Sequence, residues 1–237
     1  MVATDLTALE RELPPSIRSL VQRKVDALTD EERRLLGAAS VQGVDFDSAV
    51  LADATARPQE DVEDRLDRLE RAHALVRFVS EREYPDRSLA LRYRFAHIVY
   101  QRAFHDALRV TRHAGLARAV AASILARMGA RSDERALDLA LLFETARDHL
   151  QAAMHFATAA RSAARLYAHD ESERLARRGL AAVAQAPAGA ERSAVELDLQ
   201  MSYGLALRPR AAMPCPRSAG PMPARASCAG RSTTRAA

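Results

Sequence analysis

The sequence is poor in the residues that cross-link small secreted domains and in those that fill aromatic-rich sheets. Trp is absent, aromatic residues make up 5% of the 237 positions, and the only two cysteines are Cys215 and Cys228. Neither a disulfide framework nor a thiolate metal site can therefore support the first 214 residues. Few aromatics beside 48% hydrophobic residues favour helices packed through small side chains over a β-sandwich.

Signals for export and anchoring are also missing. The first six residues have no basic segment followed by an apolar one, and no run approaches the ~18 apolar residues of a membrane span. Because cysteine is confined to the last part of the chain as well, we expect a cytoplasmic protein without a membrane anchor.

The net charge of +4 comes from one end of the chain. Residues 208–237 contain six Arg and no acidic residue, so residues 1–207 hold 29 basic against 31 acidic side chains, a net charge of −2. The last segment also has no Leu, Ile, Val or Phe, so it cannot bury enough apolar surface to order itself. We predict a disordered tail over 208–237. Since 34 Arg against a single Lys is typical of a GC-rich gene, we interpret this tail as the product of a frameshift or truncation near Leu207.

Four short helices are predicted in the first part of the chain. The pattern from Thr29 to Glu32 is a capping box that places a helix at about 30–41, and Pro58 opens another helix near its first turn. Between them Gly43–Phe46 is a short extended break, after which Asp47 or Ser48 is predicted to cap a helix that runs to about Thr55. The inner faces are formed by Ile17, Leu20, Val21, Val25 and Leu28, then Leu35, Leu36 and Ala39, and lastly Val62, Leu66 and Leu69.

Two strands follow, at Leu75–Val79 and Leu89–Phe95, around a turn at Tyr84–Ser88. In the second strand Leu89, Leu91, Tyr93 and Phe95 are predicted to face one way and Arg92 and Arg94 the other. Helices followed by a β-hairpin are the layout of a winged-helix domain. No Gly or Pro separates the second strand from the helical pattern that begins at Ala96, so we expect a rigid joint there.

From Ala96 to about Leu207 the sequence has a helical pattern, with Gly115, Gly129 and Pro187 as candidate breaks. Five of six positions suit the 34-residue tetratricopeptide pattern, and the aromatic residue that would replace its Trp is missing. The six are Leu139, Ala140, Phe143, Ala152, Phe156 and Ala159. A weaker second register, only 24 residues later, places Tyr167, Ala176 and Leu180 in the aromatic, Ala and large apolar positions.

Several of these segments resemble one protein family. They are Leu13–Arg18, Leu28–Leu36, Ala38–Gly43 and Tyr93–His97. Over about residues 12–207 the chain is similar to the region after the nucleotide-binding domain of bacterial STAND-type AAA ATPases, large signalling proteins often fused to a cyclase, a protein kinase or a transcription-factor domain. The likeness is closer in apolar positions than in charged ones, such as Gln101-Arg102 and Arg112-His113.

The resemblance implies a mainly α fold in three parts: a winged-helix domain with a small β-hairpin over 1–108, a tetratricopeptide-like superhelix over 109–207, and the tail. It implies a non-catalytic regulatory module that couples an upstream ATPase domain to a sensor and binds protein partners through its helical repeats. The family's ATP chemistry does not carry over, because the only Lys, Lys24, is not in a phosphate-binding loop. We interpret Lys24 as a solvated helix residue.

The sequence predicts no catalytic, cofactor-binding or metal-ligating residues. None of the seven histidines has a partner four residues away, and His97 and His105, eight apart, share a helix face without a third ligand in register. His97 is predicted to pack at the strand-to-helix joint and to bond the backbone. No Gly-x-Ser-x-Gly elbow is present, and the carboxylates are spread over helix faces.

The alternative function is a DNA-binding winged-helix transcriptional regulator. Its recognition helix would have to present basic or amide side chains to the duplex. That segment instead holds six acidic residues, Glu60, Asp61, Glu63, Asp64, Asp67 and Glu70, against Arg65, Arg68 and Arg71. The remaining basic surface is on the wing, at Arg77, Arg82, Arg87, Arg92 and Arg94. A net charge of −3 on the helix makes nucleic acid an unfavourable partner.

Overall fold

The structure is a computed structural model that describes residues 15–206. Its helices are α1 (Pro15–Asp26), α2 (Asp30–Gln42), α3 (Ser48–Thr55), α4 (Gln59–His73), α5 (Ile98–Asp106), α6 (Val110–Met128), α7 (Ala136–Thr145), α8 (His149–Arg165), α9 (His169–Val183) and α10 (Ala190–Ala206). The strands are β1 (Asp45–Asp47), β2 (Val76–Glu83) and β3 (Leu89–Phe95), and a 3-10 helix covers Gly129–Arg135. The mainly helical fold with a small antiparallel sheet was predicted from the sequence, whereas the predicted tail, 208–237, lies outside the described residues.

The start of α2 forms as its sequence predicts. The side chain of Thr29 accepts a hydrogen bond from the Glu32 backbone N–H at 3.3 Å, and the Glu32 carboxylate accepts one from the Thr29 N–H at 2.8 Å. This reciprocal pair satisfies two donors that a helix start leaves without intrahelical partners. The capping box is therefore confirmed, and the helix ends at Gln42, one residue beyond the predicted end.

The predicted cap of α3 is wrong. Asp47 stands at the N-cap position, but its side chain makes no capping bond and turns instead to Arg82 and Tyr84 of the hairpin. The Ser48 hydroxyl donates to Glu63 of α4 at 2.6 Å and accepts from the Leu91 N–H of β3 at 2.9 Å. The start of α3 is thus tied to the sheet and to α4 by bonds that join residues far apart in sequence.

The three strands form an antiparallel sheet in the order β1-β3-β2. The short extended break before α3 supplies β1, whose Phe46 pairs with Tyr93 of β3. The β2 strand is longer than predicted, and its register shifts between Phe78 and Ser80, which marks a β-bulge. The predicted alternation along β3 fails at its start, because Leu89 is 64% exposed while the neighbouring Ala90 is buried.

A first hydrophobic cluster, the sheet core, lies between α2, α3, α4 and the sheet. It contains an aromatic chain in which Phe46 stacks on Tyr93 at a centroid distance of 6.0 Å and contacts Phe95 at 5.2 Å, with Phe104 next to Phe95 at 6.2 Å. The predicted inner faces of α2 and α4 belong to it: Leu35, Leu36, Ala39, Val62, Leu66 and Leu69 are buried. Of the stripe predicted for α1, Val21 and Leu28 are buried, while the side chains of Ile17 and Leu20 lie outside the described residues.

A second cluster, the array core, fills the space between α6, α7, α8, α9 and α10 and extends to α3 and the hairpin. Most of its members are alanines, including Ala140, Ala152 and Ala160. All six residues fitted to the first repeat pattern are buried, but Tyr167 of the second register is 84% exposed in the turn between α8 and α9, so that placement is wrong. Small side chains let neighbouring helices approach closely, and a Cβ on Gly179 of α9 would lie 2.5 Å from Leu199 of α10.

The candidate breaks in the helical part had different outcomes. Gly129 ends α6 with a positive φ of 49°, and Pro187 lies between α9 and α10. Gly115 interrupts nothing: it lies inside α6, where an added Cβ would meet nothing within 4 Å. Position 108, the predicted domain boundary, lies in the three-residue link between α5 and α6. The division into two domains there stays a prediction.

The strand-to-helix joint is short, as predicted. Phe95 ends β3, and His97 caps α5 by accepting a hydrogen bond from the Val99 N–H at 3.2 Å. The bond from His97 to backbone was predicted, but its side chain is exposed rather than packed. One turn later Gln101 donates to the Ser40 carbonyl at 2.8 Å, so α5 is held against the end of α2.

Candidate functional site: the junction between sheet and helical array

The sheet-containing part and the helical array share a core. Ala49 and Val50 of α3, with Tyr84 and Ala90 of the hairpin, belong to the same buried cluster as Ile124 of α6. A shared apolar interior resists relative motion more than a polar contact does, because separating the parts would expose it to water.

Arg127 of α6 fastens this junction from the edge. Its guanidinium donates to the Asp53 carboxylate at 2.8 Å and to the Ser88 hydroxyl at 2.8 Å. Asp53 also accepts a 2.6 Å bond from Ser123. Because the Arg127 side chain is only 15% exposed and lies over the Tyr84 ring at 5.7 Å, it joins the array to α3 and to the hairpin turn at once.

A cavity of about 280 Å³, the junction cavity, lies where the two parts meet. Its walls come from the end of α2, from all three strands, from α5 and α6, and from the length of α7 with the residue before it. The charged and polar residues that line it include Asp45, Asp47, Arg82, Arg92, Gln101, His105, His113, Arg135 and Asp138, and the apolar ones are Val41, Ile124, Leu141 and Leu142. Sequence reasoning noted Asp47 only as a helix cap and did not bring these residues together.

The two aspartates of β1 are tied to the arginines of the neighbouring strands. Asp45 accepts from Arg94 and, at 3.5 Å, from Arg92, and the bond from Arg94 holds the pKa of Asp45 below its ordinary value. Asp47 accepts through Oδ2 from Arg82 at 3.0 Å and from the Tyr84 hydroxyl at 2.6 Å. Three of the wing arginines predicted as basic surface are therefore occupied by carboxylates of the same chain.

One of the two carboxylate oxygens of Asp47 accepts no hydrogen bond from the described residues. This oxygen is Oδ1, and the residue is only 4% exposed. Burial and the Asp47 charge raise the pKa of the Tyr84 hydroxyl, while the charges of Arg82 and Arg135 act in the opposite direction. Tyr84 thus stays a donor to Asp47, and Arg135 lies near enough to this group to affect it electrostatically.

Two histidines form another wall of the cavity. The rings of His105 and His113 meet edge to face at a centroid distance of 4.3 Å, and burial lowers the pKa of His113. His105 is thus beside His113 rather than His97, the partner considered from the sequence. Within residues 15–206 no group of three His, Cys, Asp or Glu side chains is placed to hold a metal ion.

Three of the six acidic side chains of α4 support the fold. Glu63 accepts from Ser48, Asp67 accepts from the Tyr93 hydroxyl at 2.9 Å, and Glu70 accepts from the Phe78 N–H at 3.2 Å. Its exposed charged residues are Glu60, Asp61, Asp64, Arg68 and Arg71. The solvent face of α4 therefore has three acidic and two basic side chains.

Lys24 is more than a solvated residue, so that interpretation was wrong. Its ammonium group donates to the His73 carbonyl at the end of α4 at 3.0 Å and lies 5.6 Å from the centre of the Tyr100 ring. A cation at a helix C-terminus satisfies a free carbonyl and interacts favourably with the helix dipole. Lys24 thereby fastens α1 to both α4 and α5.

The last described helix has an exposed apolar stripe. Leu197, Met201 and Leu205 follow one another at a spacing of four residues and are 59%, 60% and 52% exposed. The opposite side of α10 packs on α8 and α9 through Leu199, which is fully buried.

Comparisons with known proteins give no neighbour for this chain. No protein-family model matches it, and neither a search of curated proteins nor a search of solved structures found a match. Among the described residues, no helix is both long enough and apolar enough to cross a membrane.

Proposed function

We propose that this chain is a non-catalytic regulatory module that joins a winged-helix unit rigidly to a tetratricopeptide-like helical array. The shared core at the junction is the main support for this proposal. A displacement of the array acts directly on Ala49, Val50 and Tyr84, because these residues pack in the same interior as α6. Coupling two surfaces is a role for which such a joint is suited, whereas two domains joined by a loose linker would move independently.

The order of elements supports the winged-helix part of the proposal. A helix, a short strand, two helices and a β-hairpin follow one another from α2 to β3, and the first strand pairs with the last. The repeat-like part is supported by the consecutive packing of α7, α8, α9 and α10, whose interior residues fit the predicted repeat positions on α7 and α8. Stacked helix pairs of this kind present extended surfaces to partners.

We further propose that the module belongs to a STAND-type AAA signalling ATPase, where it would link the nucleotide-binding domain to a sensor. In this role protein partners bind the array, and the upstream ATPase domain contacts the winged-helix unit. The exposed apolar stripe on α10 supports a protein-binding role, since contiguous apolar surface is typical of interaction sites.

The parent protein can be tested at the level of the gene. Translating the DNA on both sides of the coding sequence in all frames is expected to show a Gly-x-x-x-x-Gly-Lys-Ser/Thr motif upstream and further amphipathic helix downstream of codon 207. Stop codons in every frame and a promoter directly before Met1 would contradict the STAND assignment and favour a stand-alone adaptor.

DNA binding is tested separately by an electrophoretic shift assay with random duplex at low salt. We expect no shift, because the solvent face of α4 has more acidic than basic side chains and Arg82, Arg92 and Arg94 are occupied by carboxylates. A shift that weakens steeply with salt, and that is lost in a double variant Arg77→Ala, Arg87→Ala, would support the transcriptional-regulator alternative instead.

A further inference from the structure

The outer face of α10, at the end of the described helical array, is apolar. One side of this helix packs on α8 and α9 through the fully buried Leu199. Its opposite side carries Leu197, Met201 and Leu205, which we call the α10 stripe. Because the last unit of a stacked helical array needs a polar outer face to stay soluble on its own, an apolar face at this place calls for a partner that covers it.

The exposed part of this face carries no charge. From Ala194 onward the exposed residues of α10 are Ala194, Leu197, Gln200, Met201, Gly204 and Leu205. The two acidic residues in this part, Glu196 and Asp198, are half-buried, and Asp198 is paired with Arg161 of α8 at 2.6 Å. A face that pairs with a copy of itself across a two-fold axis brings like charges together, so it has to be uncharged near that axis. The α10 stripe meets this requirement.

The α10 stripe also has the same order of residue types in both directions. Leu197 and Leu205 each lie four residues from Met201, one on either side. If two such helices pack antiparallel about a two-fold axis at Met201, the methionine meets its own counterpart, and Leu197 of one copy lies beside Leu205 of the other. Gly204 adds no side chain to the crossing, and even a Cβ there would meet nothing within 4 Å in the single chain. The stripe is therefore complementary to itself.

The segments of the chain outside the described residues match the stripe less well. Residues 208–237, which follow α10 closely, contain no Leu, Ile, Val or Phe and so have little apolar surface to place over it. Residues 1–14 do contain leucines, but they precede α1, whose Lys24 is bonded to the end of α4 and lies against Tyr100 of α5. A second copy of the chain supplies a face of the same chemistry and length.

We propose that two copies of this chain pair through their α10 stripes, antiparallel about a two-fold axis that passes beside Met201. The pairing removes the two leucines and the methionine of each copy from water. One helix from each copy gives a smaller contact than the ~800 Å² per partner of a standard interface, so the dimer is reversible, with a Kd of micromolar order. This inference rests on the protein-binding role proposed above and not on the STAND assignment, which the gene-level test decides separately.

Sedimentation equilibrium of the purified full-length chain under reducing conditions is the first test. Between about 5 and about 200 µM we expect the average mass to rise from that of a monomer toward that of a dimer. A monomer over the whole range overturns the proposal. A full-length monomer that pairs only after removal of residues 1–14 or 208–237 also overturns it, because that segment of the same chain is then the cover.

A charged residue at the axis should separate the two copies. Met201→Glu places two carboxylates against each other, and we expect it to weaken pairing at least tenfold. Val110→Glu is the matched control, because Val110 is an exposed apolar residue (68%) of α6, away from the stripe. Pairing that is unchanged in Met201→Glu, or weakened equally in both variants, contradicts the interface. Circular dichroism checks that each variant keeps the helix content of the wild type.

Two further variants test the two-fold arrangement itself. An equimolar mixture of Met201→Glu and Met201→Lys should pair again, since the two side chains then face each other with opposite charges. Met201→Cys, with Cys215→Ser and Cys228→Ser, should form a disulfide-linked dimer on mild oxidation, whereas Val110→Cys with the same two serines should not. A mixture that stays monomeric, or equal cross-linking at both positions, contradicts a crossing at Met201.

Discussion

The sheet core and the array core are built from different side chains, although each belongs to the same compact unit. In the sheet core, Phe46, Tyr93, Phe95 and Phe104 contact one another around leucines. In the array core, alanines predominate, and helices approach closely at positions such as Gly179. The stability of the sheet core depends on large side chains that fill the space between the sheet and the helices. The stability of the array core depends on small side chains that let the helices lie close together. They should therefore respond to opposite kinds of substitution.

The largest effect is expected where the sheet core loses volume. Phe46→Ala removes a side chain that is 2% exposed and contacts two aromatic rings, so it should lower the free energy of unfolding by about 3–5 kcal/mol. Urea denaturation measures this change. Phe78→Ala is the control, because Phe78 is 45% exposed and touches Tyr93 only at the ring edge. Equal losses in both variants would contradict the importance of buried volume.

The array core should instead be sensitive to added volume. Gly179→Val places a branched side chain against Leu199 and Phe156, which lie 2.5 Å and 3.0 Å from the new Cβ, and should cost about 1–3 kcal/mol of stability. Gly204→Val on α10 is the matched control, since a Cβ there meets nothing within 4 Å. The difference between the two urea midpoints isolates helix packing from helix propensity. A Gly179→Val protein as stable as the control would show that the interface adapts.

The junction between the two regions can also be loosened by removing polar contacts while the buried apolar side chains of both cores stay in place. Arg127→Met keeps much of the side chain's length but removes its bonds to Asp53 and Ser88, and we expect a loss of about 1–2 kcal/mol. We expect hydrogen exchange to show the two regions opening separately in this variant and opening together in the wild type. Unchanged exchange on both sides would mean that the apolar contacts alone hold the junction.

A smaller gain is expected at the turn between α8 and α9. Tyr167 has a φ of 58° and is 84% exposed, so its side chain contributes little packing in a backbone conformation that favours glycine. Tyr167→Gly should raise stability by about 1 kcal/mol. Tyr167→Ala keeps the Cβ and should leave the strain in place. A gain of equal size in both variants would assign the effect to exposed aromatic surface instead.

Acid should destabilise the two regions in different pH ranges. The change in stability that any single titrating side chain causes is expected to be smaller than in the variants above. Burial lowers the pKa of His155, which stacks on Phe143 in the array, below its ordinary value of 6.5. Hydrogen bonds from Arg57 and Arg65 lower the pKa of Glu31, beside the sheet core, from 4.5 to about 2. Both groups bind more protons when unfolded, so each stabilises the folded chain above its ordinary pKa and less below it.

His155 therefore loses its contribution as the pH falls below 6.5, and Glu31 loses its own between 4.5 and about 2. Urea midpoints across this range measure the difference. His155→Phe should flatten the loss that begins as the pH falls below 6.5, and Glu31→Gln should flatten it only below about pH 4.5. The same pH profile in both variants would contradict the separation.

The residues explain which features could be predicted. The capping box at Thr29 and Glu32 and the apolar stripe of α4 depend on contacts within three or four positions, and the sequence displays these directly. Asp47 was predicted as a cap by the same local rule, but its partner Arg82 lies 35 residues away and gives a charged, better hydrogen bond. Lys24 likewise meets a carbonyl 49 residues away. The junction cavity depends on many such distant contacts, so no local pattern indicates it.

The β-bulge at Phe78 and Ser80 has a consequence for how the protein behaves in solution. The β2 strand forms one edge of the sheet and carries two exposed apolar side chains, Phe78 and Val79. A straight edge of this kind would offer its free N–H and C=O groups to the same strand of another molecule. The extra residue twists the edge out of register at the place where those side chains lie. We expect it to disfavour strand-by-strand aggregation at the place where Phe78 and Val79 are exposed.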